Sequence, residues 1–167
     1  MTKKLVAYFS ATGVTKSLAK KLAKAIGADE YEIKPAVPYT KADLNWMDKN
    51  ARSTIEMQNY TSRPEMADDN FSVSEYDTIF LGFPIWWYIA PTIINTFLEK
   101  HDFSNKRIIL FATSGGSNFG KAMDYLRTSV SDKAKLAQGT VLSGKPSETQ
   151  IQEWIENINK LSEGVAI

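Results

Sequence analysis

Cysteine is absent from the 167 residues, which removes disulfides and thiolate metal sites from any account of how this chain holds together. A chain of this kind loses nothing in a reducing compartment, so the cytoplasm is the expected location. Histidine occurs once, at His101, and no metal site is expected. No apolar run approaches the length of a bilayer span. The stretch "KLVAYF" near the N-terminus is too short for a signal peptide, so no membrane partner is expected. An excess of either charge is missing as well. A formal net charge of +1 supplies neither the basic surface that nucleic acid requires nor a strongly acidic one. What remains is an ordinary globular composition, 43% hydrophobic and 23% charged, in a length that suits one domain over residues 1–167.

Strand-like and helix-like segments alternate along this chain, the pattern of an α/β domain with a parallel sheet. Lys4–Phe9, Asp77–Phe83 and Arg107–Thr113 are continuously apolar, as central strands covered on both faces are. Asp29–Pro35 alternates and suits an edge, while "AQGTVLSG" reads as a fifth strand interrupted by Gly139. Helical spacing relates Leu18, Ala19, Leu22, Ala23 and Ile26, with Gly27 at the stop. Pro91 suits the first turn of a helix carrying Ile94, Phe97 and Leu98, and a further helix carries Met123, Leu126 and Val130. Ser147 and Gln150 form a capping box before Ile151, Trp154, Ile155, Ile158 and Leu161. Residues 37–74 are too long for an ordinary connection and constitute an insert. Within it, Thr40 and Asp43 predict the start of a short helix with Leu44, Met47, Ala51 and Ile55 on one side, followed by an extended return.

Three loops follow the apolar strands, and in an open parallel sheet all three open toward the edge where ligands bind. In "SATGVT", Ser10, Thr12 and Thr15 bring hydroxyls, and Gly13 lets the backbone approach a ligand closely. The helix that follows turns free N–H groups and the positive end of its dipole the same way. An anion cradle and an ordinary capped turn fit these residues equally. In "FPIWWYIAP", Trp86, Trp87 and Tyr88 are adjacent and cannot all face the core. Two of the three are expected to be core, with the remainder available to stack on a flat ring. In "TSGGSNFG", Gly115 and Gly116 with Ser114 and Ser117 offer polar backbone at close range, with Phe119 as another aromatic; a flexible connection with Ser117 or Asn118 as a helix cap fits the same residues. Together the loops describe a site for a phosphorylated planar heterocycle.

The stretch from Val6 to Leu22 resembles the flavodoxin signature: Tyr8, Ser10, Gly13, Thr15, Ala19 and Leu22 fit, and Ala7 stands where a larger apolar residue is usual. "GFPIWWY" and "FATSGGSNFG" are similar to the family's segments after the third and fourth strands, and the insert "ADLNWMDKNARSTIEM" is similar to one in a group of short bacterial flavodoxin-like proteins. The resemblance implies a three-layer α/β sandwich, with about five parallel strands in order 2-1-3-4-5 and helices on both faces. The fold family is itself a standard example of ligand binding at the point where strand order reverses. It further implies FMN, with Ser10, Thr12, Gly13, Val14 and Thr15 at the phosphate. Pro84, Ile85, Trp86, Trp87 and Tyr88 would then lie beside the ring and Thr113, Ser114, Gly115 and Gly116 at its pyrimidine edge, Trp86, Tyr88 or Phe119 being the stacking residue. The implied role is electron transfer between redox partner proteins, with no catalytic side chain.

Two departures pull against a simple carrier. Electron-shuttling flavodoxins are typically acidic, whereas this chain is nearly neutral. In much of the family a glycine follows the ring-flanking residue and permits a turn with positive φ; Trp87 and Tyr88 are expected to resist that turn. The alternative is an FMN-dependent NAD(P)H reductase of quinones or nitro compounds, taking a small quinone-like acceptor. The insert would wall the flavin, with Arg52 or Arg63 offered to an anionic substrate; a salt-bridged surface arginine is the better expectation for each. A receiver-type binding module is disfavoured, since no acidic cluster ends the first or third strand. His101 is expected to make a favourable contact with a helix C-terminus.

Overall fold

The computed structural model of the chain describes residues 3–68, 70–114, 118–143 and 146–162. The apolar runs become the middle of a sheet. β1 (Lys4–Tyr8), β3 (Thr78–Pro84) and β4 (Arg107–Ser114) are buried along almost their whole length, while β2 (Asp29–Glu32) and β5 (Lys135–Ser143) lie at the two edges. All neighbouring strands are parallel, in the order β2-β1-β3-β4-β5, as the resemblance implies. The chain crosses from one side of β1 to the other between β2 and β3.

Alternate residues of each strand feed two cores. Leu5, Ala7, Ile79, Leu81, Ile108 and Leu110 meet Ile93, Ile94 and Phe97 of α3 (Thr92–Lys100) and Leu126 of α4 (Ala122–Arg127). Val6, Tyr8, Phe80, Ile109 and Phe111 meet Leu18 and Leu22 of α1 (Val14–Ile26) together with Trp154, Ile155 and Ile158 of α5 (Glu148–Ser162). The capping box of α5 forms as expected: Ser147 N–H donates to Gln150 Oε1 at 2.8 Å and Gln150 N–H to Ser147 Oγ at 3.1 Å. No helix among the described residues is long and apolar enough to cross a membrane.

Three expectations change. β5 runs through Gly139, because the pairing register slips between Leu110 and Ala112. A Cβ at Gly139 would collide with the Leu110 carbonyl and the Ile158 side chain, so the interruption is a bulge within the strand. Pro91 precedes α3 as its N-cap. The insert's helix, α2, spans Arg52–Gln58 and does not start at Thr40. Thr40 and Asp43 do exchange the reciprocal bonds of a capping box, at 2.9 and 3.1 Å, but only turns follow. Met47 and Ile55, expected on an apolar side, are exposed.

The insert is anchored at its neck and along its return. Ala36 N–H donates to Glu65 O and Ala67 N–H to Lys34 O, around an antiparallel bridge between Pro35 and Met66. Arg63 then grips Glu99 of α3 through Nε at 3.0 and 3.1 Å and Nη2 at 3.0 Å. Ser129 donates to the same carboxylate at 2.7 Å.

Candidate functional site

A cleft of about 670 Å³ opens at the carboxyl ends of β1, β3 and β4. One wall comes from the first loop: Ala11, Thr12 and Thr15. A second comes from the loop after β3, Pro84 to Tyr88, and the floor includes Thr113 and Ser114. The insert supplies a third wall through Leu44, Trp46 and Ser53. None of these lining residues is charged. A smaller cleft of about 470 Å³ adjoins the first loop on its other side, lined by Thr12, Gly13 and Val14 together with Lys21 and Ile151.

The first loop leaves donors unused at the start of α1. Its N-cap is Gly13, with φ 95°, no side-chain cap bond and no acidic residue in the first turn. Ser10 Oγ accepts from Gly13 N–H at 3.1 Å. Thr15, 2% exposed, shares a 2.7 Å hydroxyl–hydroxyl bond with Thr113. One proton serves that bond, so the pair retains one donor for a ligand. Lys16 is engaged by Glu32 at 3.1 Å. Uncapped N–H groups, a positive dipole end and a residual hydroxyl donor suit an anionic group.

The loop after β3 overturns an expectation. Trp86 N–H donates to Ile89 O at 2.9 Å and Ile89 N–H to Trp86 O at 3.1 Å, leaving Trp87 and Tyr88 as a two-residue turn. Both have positive φ, 48° and 66°. Residues expected to refuse that conformation therefore adopt it. The turn is held from outside: Tyr88 O accepts from Lys121 N–H at 3.1 Å. Gly120, at φ 53°, makes room, since a Cβ there would strike the Tyr88 carbonyl. Of the three aromatics only Trp86 packs inward, edge-on to Phe9 at 5.6 Å and to Tyr39 at 5.5 Å. Trp87 is 42% and Tyr88 64% exposed, so the expectation of two core residues is corrected to one.

Phe119 is also corrected. It is buried in the core edge-on to Phe83 and does not line the cleft, because Gly120 turns the chain immediately after it. Gly115 and Gly116 lie outside the described residues. The structure thus gathers Thr12, Thr15, Pro84, Ile85, Trp86, Trp87, Tyr88, Thr113 and Ser114 in one cleft and Gly13 and Val14 in the adjoining one, while Ser10 lines neither and is tied to the loop by its bond from Gly13 N–H. Sequence reasoning missed the lining role of Ala11, Leu44, Trp46 and Ser53, and the supporting role of Gly120. A lone tryptophan in a polar insert was the available signal for Trp46; Ser53 carried none.

The insert's cations are occupied elsewhere. Arg52 lies 3.9 Å over the Tyr39 ring, donates to Glu56 at 3.2 Å and reaches Val37 O at 2.6 Å. Tyr39 O–H donates to Glu56; burial and that carboxylate hold the phenol well above its ordinary value. Arg63 is committed to Glu99. Both arginines therefore take the salt-bridged reading.

A doubly wound parallel sheet with an anion-favouring helix start and an uncharged aromatic cleft at its carboxyl edge defines a nucleotide-cofactor protein of the α/β class. The flavodoxin family model matches residues 3–158. The chain belongs to the flavodoxin family. A proposed flavoprotein from Bacteroides uniformis is 47% identical over 93% of this chain and 98% of its own, with a TM-score of 0.82. Another, from Bacteroides eggerthii, is 43% identical over 95% and 99%, with a TM-score of 0.84. A Lactobacillus acidophilus flavoprotein solved with FMN shares the fold at 24% identity, covering 92% and 99%, with a TM-score of 0.64. Comparison with curated proteins gave no match.

Proposed function

We propose that the chain is an FMN protein that passes electrons between redox partners. The cofactor is FMN: the family carries it, a neighbour of the same fold was solved with it, and the donor set here fits it. The observation that carries the reading is the uncapped first turn of α1 beside an uncharged, aromatic-walled cleft. Backbone N–H groups of Thr12, Val14 and Thr15 would bind the phosphate, Trp86 and Trp87 would flank the ring, and Thr113 and Ser114 would border its polar edge. When bound, the flavin supplies the redox chemistry. The chain orients it, excludes water with its aromatic walls and leaves Trp87 and Tyr88 at the surface toward a partner. A cysteine-free composition supports a cytoplasmic setting.

Titrating apoprotein with FMN and with riboflavin tests the cradle. FMN is expected to bind more tightly through charge-assisted bonds to its phosphate; equal affinities would overturn the assignment. A second reading, an FMN-dependent NAD(P)H reductase of quinones or nitro compounds, is favoured by the insert's wall of Leu44, Trp46 and Ser53. Anaerobic mixing of loaded protein with NADH and NADPH separates the two. A carrier keeps its yellow colour until a reductase is added, whereas a reductase bleaches at once.

A further inference from the structure

Four side-chain atoms among the described residues are buried without a hydrogen-bond partner: Ser53 Oγ, Thr54 Oγ1, His101 Nε2 and Thr140 Oγ1. Of these residues only Ser53 lines the cleft between the insert and the strand ends. It is 2% exposed, and its backbone is fixed by a 2.9 Å bond from its N–H to Asp43 O. The fold therefore holds this residue firmly while leaving its hydroxyl unsatisfied at the cleft wall, which costs free energy until a ligand or a water completes it. Trp46, from the same wall, is 68% exposed, a large apolar surface left to water at the mouth of a cleft.

We infer that the insert adds a second subsite to the cleft, beyond the FMN, for an uncharged flat ring bearing a carbonyl oxygen, of the quinone class. Ser53 Oγ–H donates to that oxygen and Trp46 covers the ring. The inference rests on the FMN reading. The FMN contacts assigned above come from the loops after β1, β3 and β4, whereas Leu44, Trp46 and Ser53 come from the insert and have no share in them. Charge selects the ligand class. Among the described residues no charged side chain lines the cleft, and Arg52 and Arg63 are held by Glu56 and Glu99, so an anionic ring would enter without a counter-charge.

The test uses FMN-loaded protein in its oxidised state. It is titrated with menadione and with 1,4-naphthoquinone-2-sulfonate, followed by tryptophan fluorescence and the flavin absorption band. Menadione is expected to bind, the sulfonate at least roughly tenfold more weakly. Ser53→Ala should weaken menadione roughly three- to tenfold and leave FMN affinity unchanged; Trp46→Ala should weaken it too, with Trp46→Phe restoring most of the binding. A second measurement needs no quinone. Because the hydroxyl has no partner in the ligand-free protein, Ser53→Ala should raise the melting temperature of the apoprotein. Unchanged menadione affinity in Ser53→Ala, equal binding of the sulfonate, or a lower melting temperature would overturn the inference. Loss of FMN affinity in Ser53→Ala would assign the hydroxyl to the cofactor and remove the second subsite. Failure of the chain to take up FMN at all would overturn the previous reading as well, whereas tight FMN with no quinone binding removes this one alone.

Discussion

Trp87 and Tyr88 sit where large L residues are disfavoured by roughly 1–2 kcal/mol each, at the centre of a two-residue turn that ordinarily carries Asn-Gly. Replacing the pair by Asn-Gly is expected to stabilise the apoprotein by about 1–2 kcal/mol in urea denaturation while weakening FMN. A destabilised double variant would mean that the two rings bury more than the turn costs. The sequence disclosed that glycine is absent here, and from that alone the wrong geometry follows. The clamp that enforces it, Gly120 and Lys121 against Tyr88 O, comes from a loop far along the chain. His101 shows the same limit. Its place at the end of α3 suggested a cation against the helix dipole, but its ring packs on Phe97 at 5.1 Å and Phe103 at 6.2 Å. Burial first, then the nearby Lys100 charge, lowers its basicity. The unfolded chain binds a proton at the ordinary value of 6.5, the folded chain only at lower pH, so acidification through that window favours unfolding. Melting temperatures between pH 7.5 and 5.5 should fall less in His101→Phe than in the unaltered protein; parallel curves would place the acid sensitivity in other groups.

Two capping boxes with the same reciprocal bonds lead to different elements. After Ser147 and Gln150 comes α5, whose Ile151, Trp154, Ile155 and Ile158 are buried in one core. After Thr40 and Asp43 come Asn45, Asp48 and Asn50, and the first two bond the N–H groups of Met47 and Asn50, at 3.2 and 2.9 Å. Such side-chain bonds offer the backbone an alternative to a helix, and no buried stripe draws the segment back. The predicted consequence is unequal: Ser147→Ala should cost about 1 kcal/mol of global stability, read from the urea midpoint. Thr40→Ala should leave that midpoint nearly unchanged. Equal shifts would show that the insert's turn is as cooperative with the fold as α5. The central strands and the apolar helices were legible because their periodicity is their cause. β5 was less so, since its bulge at Gly139 answers to Leu110 and Ile158, which no local pattern displays.

Across the molecule, the sheet and the first loop form one edge, and the insert is fastened to the rest of the fold at separate points. Arg63 spans from the return to Glu99, whose carboxyl it holds below the ordinary range together with Ser129. That contribution is present at neutral pH and is lost as the pH falls through the lowered value. Arg63→Ala should therefore lower global stability by less than about 1 kcal/mol, because the pair is partly exposed. It should also speed amide exchange in the return near Arg63 well before the strands; exchange that accelerates uniformly would mean the insert opens only with the whole protein. The loop that carries Thr12 to Thr15 was readable from residues 6–22, whereas the strand order came only with the family resemblance that those residues carry. The third wall of the cleft was not, because Leu44, Trp46 and Ser53 come together through turns that lack any repeat.

The neck at Ala36 and Glu65 pins the two ends of the insert side by side. Where two ends of a segment are already pinned side by side, lengthening the chain between them adds only slowly to the entropy of closing it. Descendants of this sequence could therefore shorten, extend or exchange everything between those two residues while inheriting the sheet edge intact, diversifying what they admit without relearning where to hold it.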